Sequence, residues 1–219
     1  MFQLLPALYQ QLRVLFAPPF CAYCKQFMQH ETIFCVKCCQ SIMPVVSITV
    51  AITQKHSMKV FAVADYKEPL RSLILSKSWS DHVAGYQLGQ LIWQYTNVRH
   101  VPVDFFIPIP LHWTRYAYRG FNQTEEMARA LTHMSGKPMA NMLRRNKRTL
   151  FQAGLNQQQR HENVNQVFTL AVEPTVYRDK HIILVDDFMT TGSTLRMAAK
   201  ELLKLKPASS SAGVGCRVV

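Results

Sequence analysis

The stretch Ile182-Ile183-Leu184-Val185-Asp186-Asp187-Phe188-Met189-Thr190-Thr191-Gly192-Ser193-Thr194 decides how this chain is read. Its first four residues form an uninterrupted apolar run behind His181, the pattern of a strand buried on both faces. The spacing predicts a strand over His181–Val185 and a helix over Ser193–Leu205, stopped before Pro207. Between them, two adjacent carboxylates are followed by a glycine with two hydroxyl residues on each side. Backbone N–H groups and hydroxyls at a helix N-terminus suit a phosphate monoester. No lysine follows the glycine, so this is not a Walker loop. Asp186 and Asp187 would repel the same phosphate. They suit neutral hydroxyls beside it, or a Mg2+ shared with them. A ribose 5-phosphate satisfies both halves. The competing reading is an ordinary strand–turn–helix with a hydroxyl cap, which has no need of two adjacent acids.

Working outward, apolar and helical patterns alternate beyond residue 57. Strands are expected over Val60–Tyr66, Val103–Ile109 and Ala212–Val219, with a short one at Met142-Leu143. Helices are expected over Pro69–Ser78, Val83–Asn97, Gln123–Met134 and Asn156–Asn163. For the third of these, Asn122 or Thr124 is the candidate N-cap and Gly136 follows the end. Ser209–Ser211 reads as a loop. This alternation implies a parallel sheet covered on both faces, with ligands at the carboxyl ends of its strands.

The N-terminal part is different. Residues 2–16 suit a short amphipathic helix, ended by Pro18-Pro19. Cys21-Ala-Tyr-Cys24 and Cys35-Val-Lys-Cys38 are two CxxC pairs, and two such turns complete a tetrahedral thiolate site. Structural zinc suits four soft ligands best. A redox CxxC or buried thiols is the competing reading. Cys39 reads as a spare thiol and Cys216 as core, while His30 and His56 are alternative ligands that four thiols make unnecessary. The division is placed at residues 1–56 for the helix and zinc module and 57–219 for the main domain.

Lys plus Arg outnumber Asp plus Glu by 25 to 13, which favours polyanions or phosphorylated ligands. No run of about 18 uncharged apolar residues is present, so a membrane span is not expected. Arg13 interrupts the apolar N-terminus, and no secretory leader is recognised. A cytoplasmic protein with reduced cysteines is expected. Arg144-Arg145-Asn146-Lys147-Arg148 carries four positive charges and is a candidate phosphate-backbone patch, or a solvated basic turn. Phe121 and Phe151 are candidates to stack bases beside it.

The stretch VDDFMTTGST resembles the phosphoribosyl pyrophosphate (PRPP) signature of type I phosphoribosyltransferases. Ile107-Pro108-Ile109-Pro110 with Arg115 and Arg119-Gly120-Phe121-Asn122-Gln123 resembles the "PVP…RGFNQ" block of the competence protein F family. Arg144-Arg145, Thr149, Gln152, Leu155, Arg160, Asn163-Val164 and Phe168 are similar to a second block of that family, and the four-cysteine head is typical of it. The resemblance spans about 18–219. Phe188-Met189 is bulkier than the pattern, and Cys39 is extra.

The resemblance implies an α/β, type I phosphoribosyltransferase-like parallel sheet flanked by helices, with a small zinc-finger module. It implies a role in natural transformation, acting with a helicase-like partner on incoming single-stranded DNA. It assigns the ribose hydroxyls to Asp186 and Asp187, and the 5-phosphate to Thr190, Thr191, Gly192, Ser193 and Thr194. Pyrophosphate with Mg2+ falls to Pro108, Ile109, Arg115, Arg119 and Lys77, since arginine forks match its oxygens. Arg119 joins the two acids as a candidate catalytic group. No base for an acceptor is evident; His112 lies near, but a lone His is usually a surface or core residue. Three functions follow. The first is a PRPP-dependent transferase on an unknown acceptor. The second, favoured here, is a competence protein that kept the ligand site without turnover. The third is a plain nucleic-acid adaptor.

Overall fold

The computed structural model describes residues 19–29, 32–45, 47–76, 82–111, 114, 116–117, 120–146 and 167–218. The expected helices over 2–16 and Asn156–Asn163 lie outside them, as do Lys77, His112, Arg115, Arg119, Lys147, Arg148 and Phe151. Contacts divide the chain into Met1–Ile42 and Met43–Val219.

In the first unit, Phe20 and Phe27 bridge antiparallel and their rings meet edge-on at 6.1 Å. Among its described residues one short helix, α1 (Val36–Gln40), starts directly after Cys35 and carries Cys38. Met28, Phe34 and Ile42 are buried in this unit.

Among its described residues the second unit carries seven strands: β1 (Ile48–Ala51), β2 (Ser57–Asp65), β3 (Phe105–Pro108), β4 (Leu143–Arg145), β5 (Phe168–Leu170), β6 (His181–Met189) and β7 (Ser209–Arg217). Its helices are α2 (Leu70–Ser76), α3 (His82–Tyr95), α4 (Gln123–Ser135) and α5 (Ser193–Leu202). The main sheet has the order β1-β2-β7-β6-β3, and β4 and β5 form a separate pair. β2, β7, β6 and β3 are mutually parallel, as expected of a mixed α/β fold. β1 is antiparallel to β2, an addition the alternation of elements did not announce. β1 lies before residue 57, the start placed for the main domain, and pairs with β2.

Side chains alternate between the two faces of each strand. On one face α3 packs on β7, with Ile92 beside Gly213 and Leu88 beside Gly215. α3 also crosses α4 closely: a Cβ on Gly89 would lie 2.3 Å from the Met127 carbonyl oxygen. The opposite face joins Val60, Ala62, Ile107, Ile182, Leu184, Ala212 and Val214 to Leu195, Ala198, Ala199 and Leu202 of α5 in one buried cluster.

Two elements run further than the sequence suggested. β6 does not end at Val185. Asp186, Phe188 and Met189 continue the ladder opposite Val214, Cys216 and Arg217, so the following loop is only Thr190–Gly192. β7 begins at Ser209: Ser209, Ser210 and Ser211, read as a loop, all pair with β6, and Ser211 pairs with β2 as well. Polar composition misled there, because pairing to a neighbouring strand outweighs local preference.

Candidate functional site

Because β2, β3, β6 and β7 run the same way, Asp65, Pro108, Met189 and Arg217 end at one edge of the sheet. The edge is tied together. Tyr66 N–H donates to the Arg217 carbonyl at 2.7 Å, Val218 N–H to Met189 at 2.7 Å, and Ile109 N–H to Val185 at 3.0 Å. Arg217 Nε meets Asp65 Oδ1 at 2.6 Å, so this edge carboxylate has its own cation.

Asp186 and Asp187 stand within the last part of β6. Asp186 is buried and Asp187 half-buried. The Asp187 N–H donates to Asp186 Oδ1 at 2.9 Å, and the Phe188 N–H to Asp187 Oδ1 at 2.7 Å. Each carboxylate is thereby fixed by the backbone that follows it. Underneath, β7 comes very close. A Cβ on Gly215 would lie 2.7 Å from the Asp187 carbonyl oxygen and 3.2 Å from Leu88 Cδ2. The sequence reading did not single out Gly215. Its signal was present as an isolated glycine in a strand, which marks close backbone approach.

The loop turns at Gly192, whose φ of +71° is left-handed and favours glycine. There is little room besides, since a Cβ would meet Met189 Sδ at 3.4 Å and Val50 at 3.5 Å. α5 starts directly after it, with no side chain capping the helix. Thr190, Thr191 and Ser193 are exposed and Thr194 is half-buried. These exposed hydroxyl residues stand at the start of α5, directly after the acid-bearing end of β6, and a helix N-terminus of this kind is suited to an anion.

Across β3, Ile109 is buried, and its carbonyl accepts from Asn122 Nδ2 at 3.2 Å and Thr124 Oγ1 at 2.7 Å. Asn122 caps α4 as expected, accepting from the Thr124 N–H, and Gly136 ends it at φ +72°. Both backbone groups of Ile109 are thus engaged within the protein. Phe121 is not a base-stacking platform: it is buried, and His82 covers it at a centroid distance of 3.9 Å. It lies just before α4, and packing against His82 of α3 buries it. His82 Nδ1 also meets Glu126 Oε1 at 3.1 Å, and Arg129 Nη1 meets the same oxygen at 2.9 Å. In the candidate basic patch Arg144 is exposed, and the Arg145 guanidinium lies 5.5 Å over the Phe168 ring.

In the first unit, the Sγ atoms of Cys21, Cys24, Cys35 and Cys38 all lie within 4.8 Å of one another, and Cys24 and Cys35 are 3.7 Å apart. Four sulfurs about 2.3 Å from a tetrahedral zinc ion stand roughly 3.8 Å apart, so the cluster can hold zinc. The proton balance agrees. Burial pushes the Cys21 thiol up, but backbone N–H groups of Cys35, Cys24 and Tyr23 outweigh it and bring it down to about 6. Cys38 is pushed up, first by burial and then by the thiols of Cys35, Cys24 and Cys21. A divalent cation removes this conflict by replacing the protons. Cys39 turns away, with Sγ 3.6 Å from the Phe34 carbonyl oxygen, and Cys216 is fully buried. His56 Nδ1 is occupied with Thr53 Oγ1 at 3.1 Å.

No helix among the described residues is long and apolar enough to cross a membrane. Residues 117–218 match the phosphoribosyl transferase domain. The chain is 29% identical over 195 residues to competence protein F of Haemophilus influenzae, covering 85% of this chain and 80% of that protein. It is 26% identical over 206 residues to the DNA utilization protein YhgH of Escherichia coli, covering 91% and 84%. Among solved structures, the glutamine PRPP amidotransferase of B. subtilis, complexed with ADP and GMP, aligns at TM-score 0.46 and 18% identity, over 64% of this chain and 30% of that one. The chain is thus similar to competence protein F and to DNA utilization protein YhgH, its residues 117–218 match a phosphoribosyl transferase domain, and its first unit carries a four-cysteine cluster.

Proposed function

We propose that this protein binds PRPP, or a similar ribose 5-phosphate ligand, with Mg2+, as a cytoplasmic component of DNA uptake. One observation carries the reading: two backbone-fixed carboxylates lie directly before a short hydroxyl-rich turn at a helix N-terminus. Thr190, Thr191, Gly192, Ser193 and Thr194 hold the 5-phosphate through N–H and hydroxyl donors. Asp186 and Asp187 accept hydrogen bonds from the ribose hydroxyls. Mg2+, carried with the ligand, neutralises the pyrophosphate charge. Pro108 and Ile109 shape the neighbouring strand end, and Arg115, Arg119 and Lys77 supply the cations. Arg144, Arg145, Lys147 and Arg148 contact single-stranded DNA, and the zinc head docks a helicase-like partner. The likeness to a DNA utilization protein and the excess of basic residues support this part.

A calorimetric comparison of PRPP, ribose 5-phosphate and inorganic pyrophosphate, each with Mg2+, tests the ligand assignment. PRPP binding tightest and ribose 5-phosphate next supports it; indifference to all three refutes it. A second reading, turnover on an acceptor, has its own support. α3 runs antiparallel to β7, which brings its N-terminus to the carboxyl edge, and there buried Glu126 orients His82. A histidine oriented by a carboxylate is a competent proton acceptor. In that case Arg119 and Mg2+ stabilise the departing pyrophosphate while the acids face the charge developing on the ribose ring. Pyrophosphate release on mixing with candidate acceptors, lost in His82→Gln, distinguishes this reading from binding alone.

A further inference from the structure

The acid pair has an aromatic neighbour that the contacts proposed for PRPP do not use. Phe188 follows Asp187 directly on β6 and is 43% exposed. Successive strand side chains alternate, so Phe188 and Asp186 leave the same face of β6. Phe188 and Ala64 both pair with Cys216, one from each side of β7. Tyr66 comes two residues after Ala64. Its ring meets that of Phe188 at a centroid distance of 6.4 Å, tilted by 38°. The Arg217–Asp65 ion pair stands at the same edge of the sheet.

A lone exposed aromatic is ordinary on a protein surface. Here β2 and β6, which do not pair with each other, bring two rings together beside the acids. Tyr66 is half-buried and Phe188 is the more open ring. A third ring does not fit between them, since contact on both faces needs about 7 Å. It fits on the open face of Phe188, with Tyr66 as backing. A ribose held by Asp186 and Asp187, with its 5-phosphate on the turn, has one further substituent, at the anomeric carbon. A pyrophosphate there gains nothing from an apolar ring, whereas a nucleobase stacks on one. Arg217 also carries N–H donors beyond Nε, and Asp65 has a second oxygen; a base edge pairs with groups of both kinds.

We propose that the site takes a nucleoside 5'-monophosphate, with its phosphate on the turn at 190–194 and its base stacked on Phe188. This rests on the ribose 5-phosphate reading and names the ligand class within it: a nucleotide, bound without turnover and in competition with PRPP. Phe188, bulkier than the pattern its stretch resembles, is then the residue that sets specificity.

The test is calorimetric titration of AMP and of ribose 5-phosphate into the full chain and into Phe188→Val, which removes the ring but keeps a good strand former. AMP is expected to bind the parent roughly 5- to 150-fold more tightly than ribose 5-phosphate, the span found for one base on one aromatic ring. Phe188→Val should erase that preference and leave ribose 5-phosphate affinity unchanged. Phe188→Trp, with a wider ring, should keep or raise it, which preserves the test if the valine protein fails to fold. Equal affinities for the two ligands in the parent overturn the proposal and leave the ribose 5-phosphate site standing. A preference that survives in Phe188→Val, or is lost in a folded Phe188→Trp, overturns the assignment to this ring. Binding of neither ligand overturns the ribose 5-phosphate reading, and this proposal falls with it.

Discussion

Gly215→Ala joins packing to the site in one substitution. The added Cβ falls 2.7 Å from the Asp187 carbonyl oxygen, about 0.7 Å short of the 3.4 Å at which ordinary contact begins. The obstacle is backbone, so no rotamer change relieves it. Leu88 Cδ2, at 3.2 Å on the other side, blocks retreat towards α3. Overpacking of this kind costs about 1–3 kcal/mol, or roughly 2–12 °C in Tm for a chain of this size. Because β6 must move at Asp187, PRPP affinity should also fall, by up to about tenfold. Urea unfolding of the second unit reads the first effect and calorimetry the second. Gly136→Ala is the comparison. It adds a Cβ into open space at φ +72° and should cost about 1–2 kcal/mol from backbone strain, with ligand affinity unchanged. A Gly215→Ala protein as stable as the parent, with parental ligand affinity, would refute the close-approach argument.

Other consequences are equally direct. The four-cysteine head should carry one zinc per chain, measured by metal analysis; Cys24→Ser or a strong chelator should abolish it and unfold the head. Structural zinc sites contribute about 10–16 kcal/mol, so no partial retention of head structure is expected. Asn122→Ala removes both the α4 cap and a bond to the Ile109 carbonyl, and should cost about 1–2 kcal/mol in urea unfolding. Asp104 lies below its ordinary value of 3.8, chiefly because its carboxylate accepts the His181 N–H at 2.8 Å. Its contribution is present above that ordinary value and is lost as pH falls through the depressed one, where the unfolded chain binds more protons. The stability gap between parent and Asp104→Asn should therefore be widest near neutral pH and close below about pH 4.

Much of this was legible because local chemistry and fold agree. The apolar run at 182–185, the Asn122 cap and Gly136 announced their elements through side-chain pattern alone. The cysteine spacing likewise announced its cluster. What escaped depended on partners distant in sequence. β1 is a strand because β2 offers it an edge, and Ser209–Ser211 are strand because they pair with β6. Asp186 and Asp187 looked like loop residues, since acids rarely prolong a buried strand. Pairing to β7 and the bare backbone of Gly215 make that possible. Phe121 was misjudged because the residue that covers it, His82, lies 39 positions earlier in the chain.

The central claim is that the acid pair and the turn after it form a ribose-phosphate site. Its most direct test is calorimetric titration of PRPP with Mg2+ into the full chain and into Asp186→Asn plus Asp187→Asn. Saturable binding to the parent, lost in the variant while the fold is retained, is the predicted result; no binding to the intact protein, or equal binding to both, would contradict it.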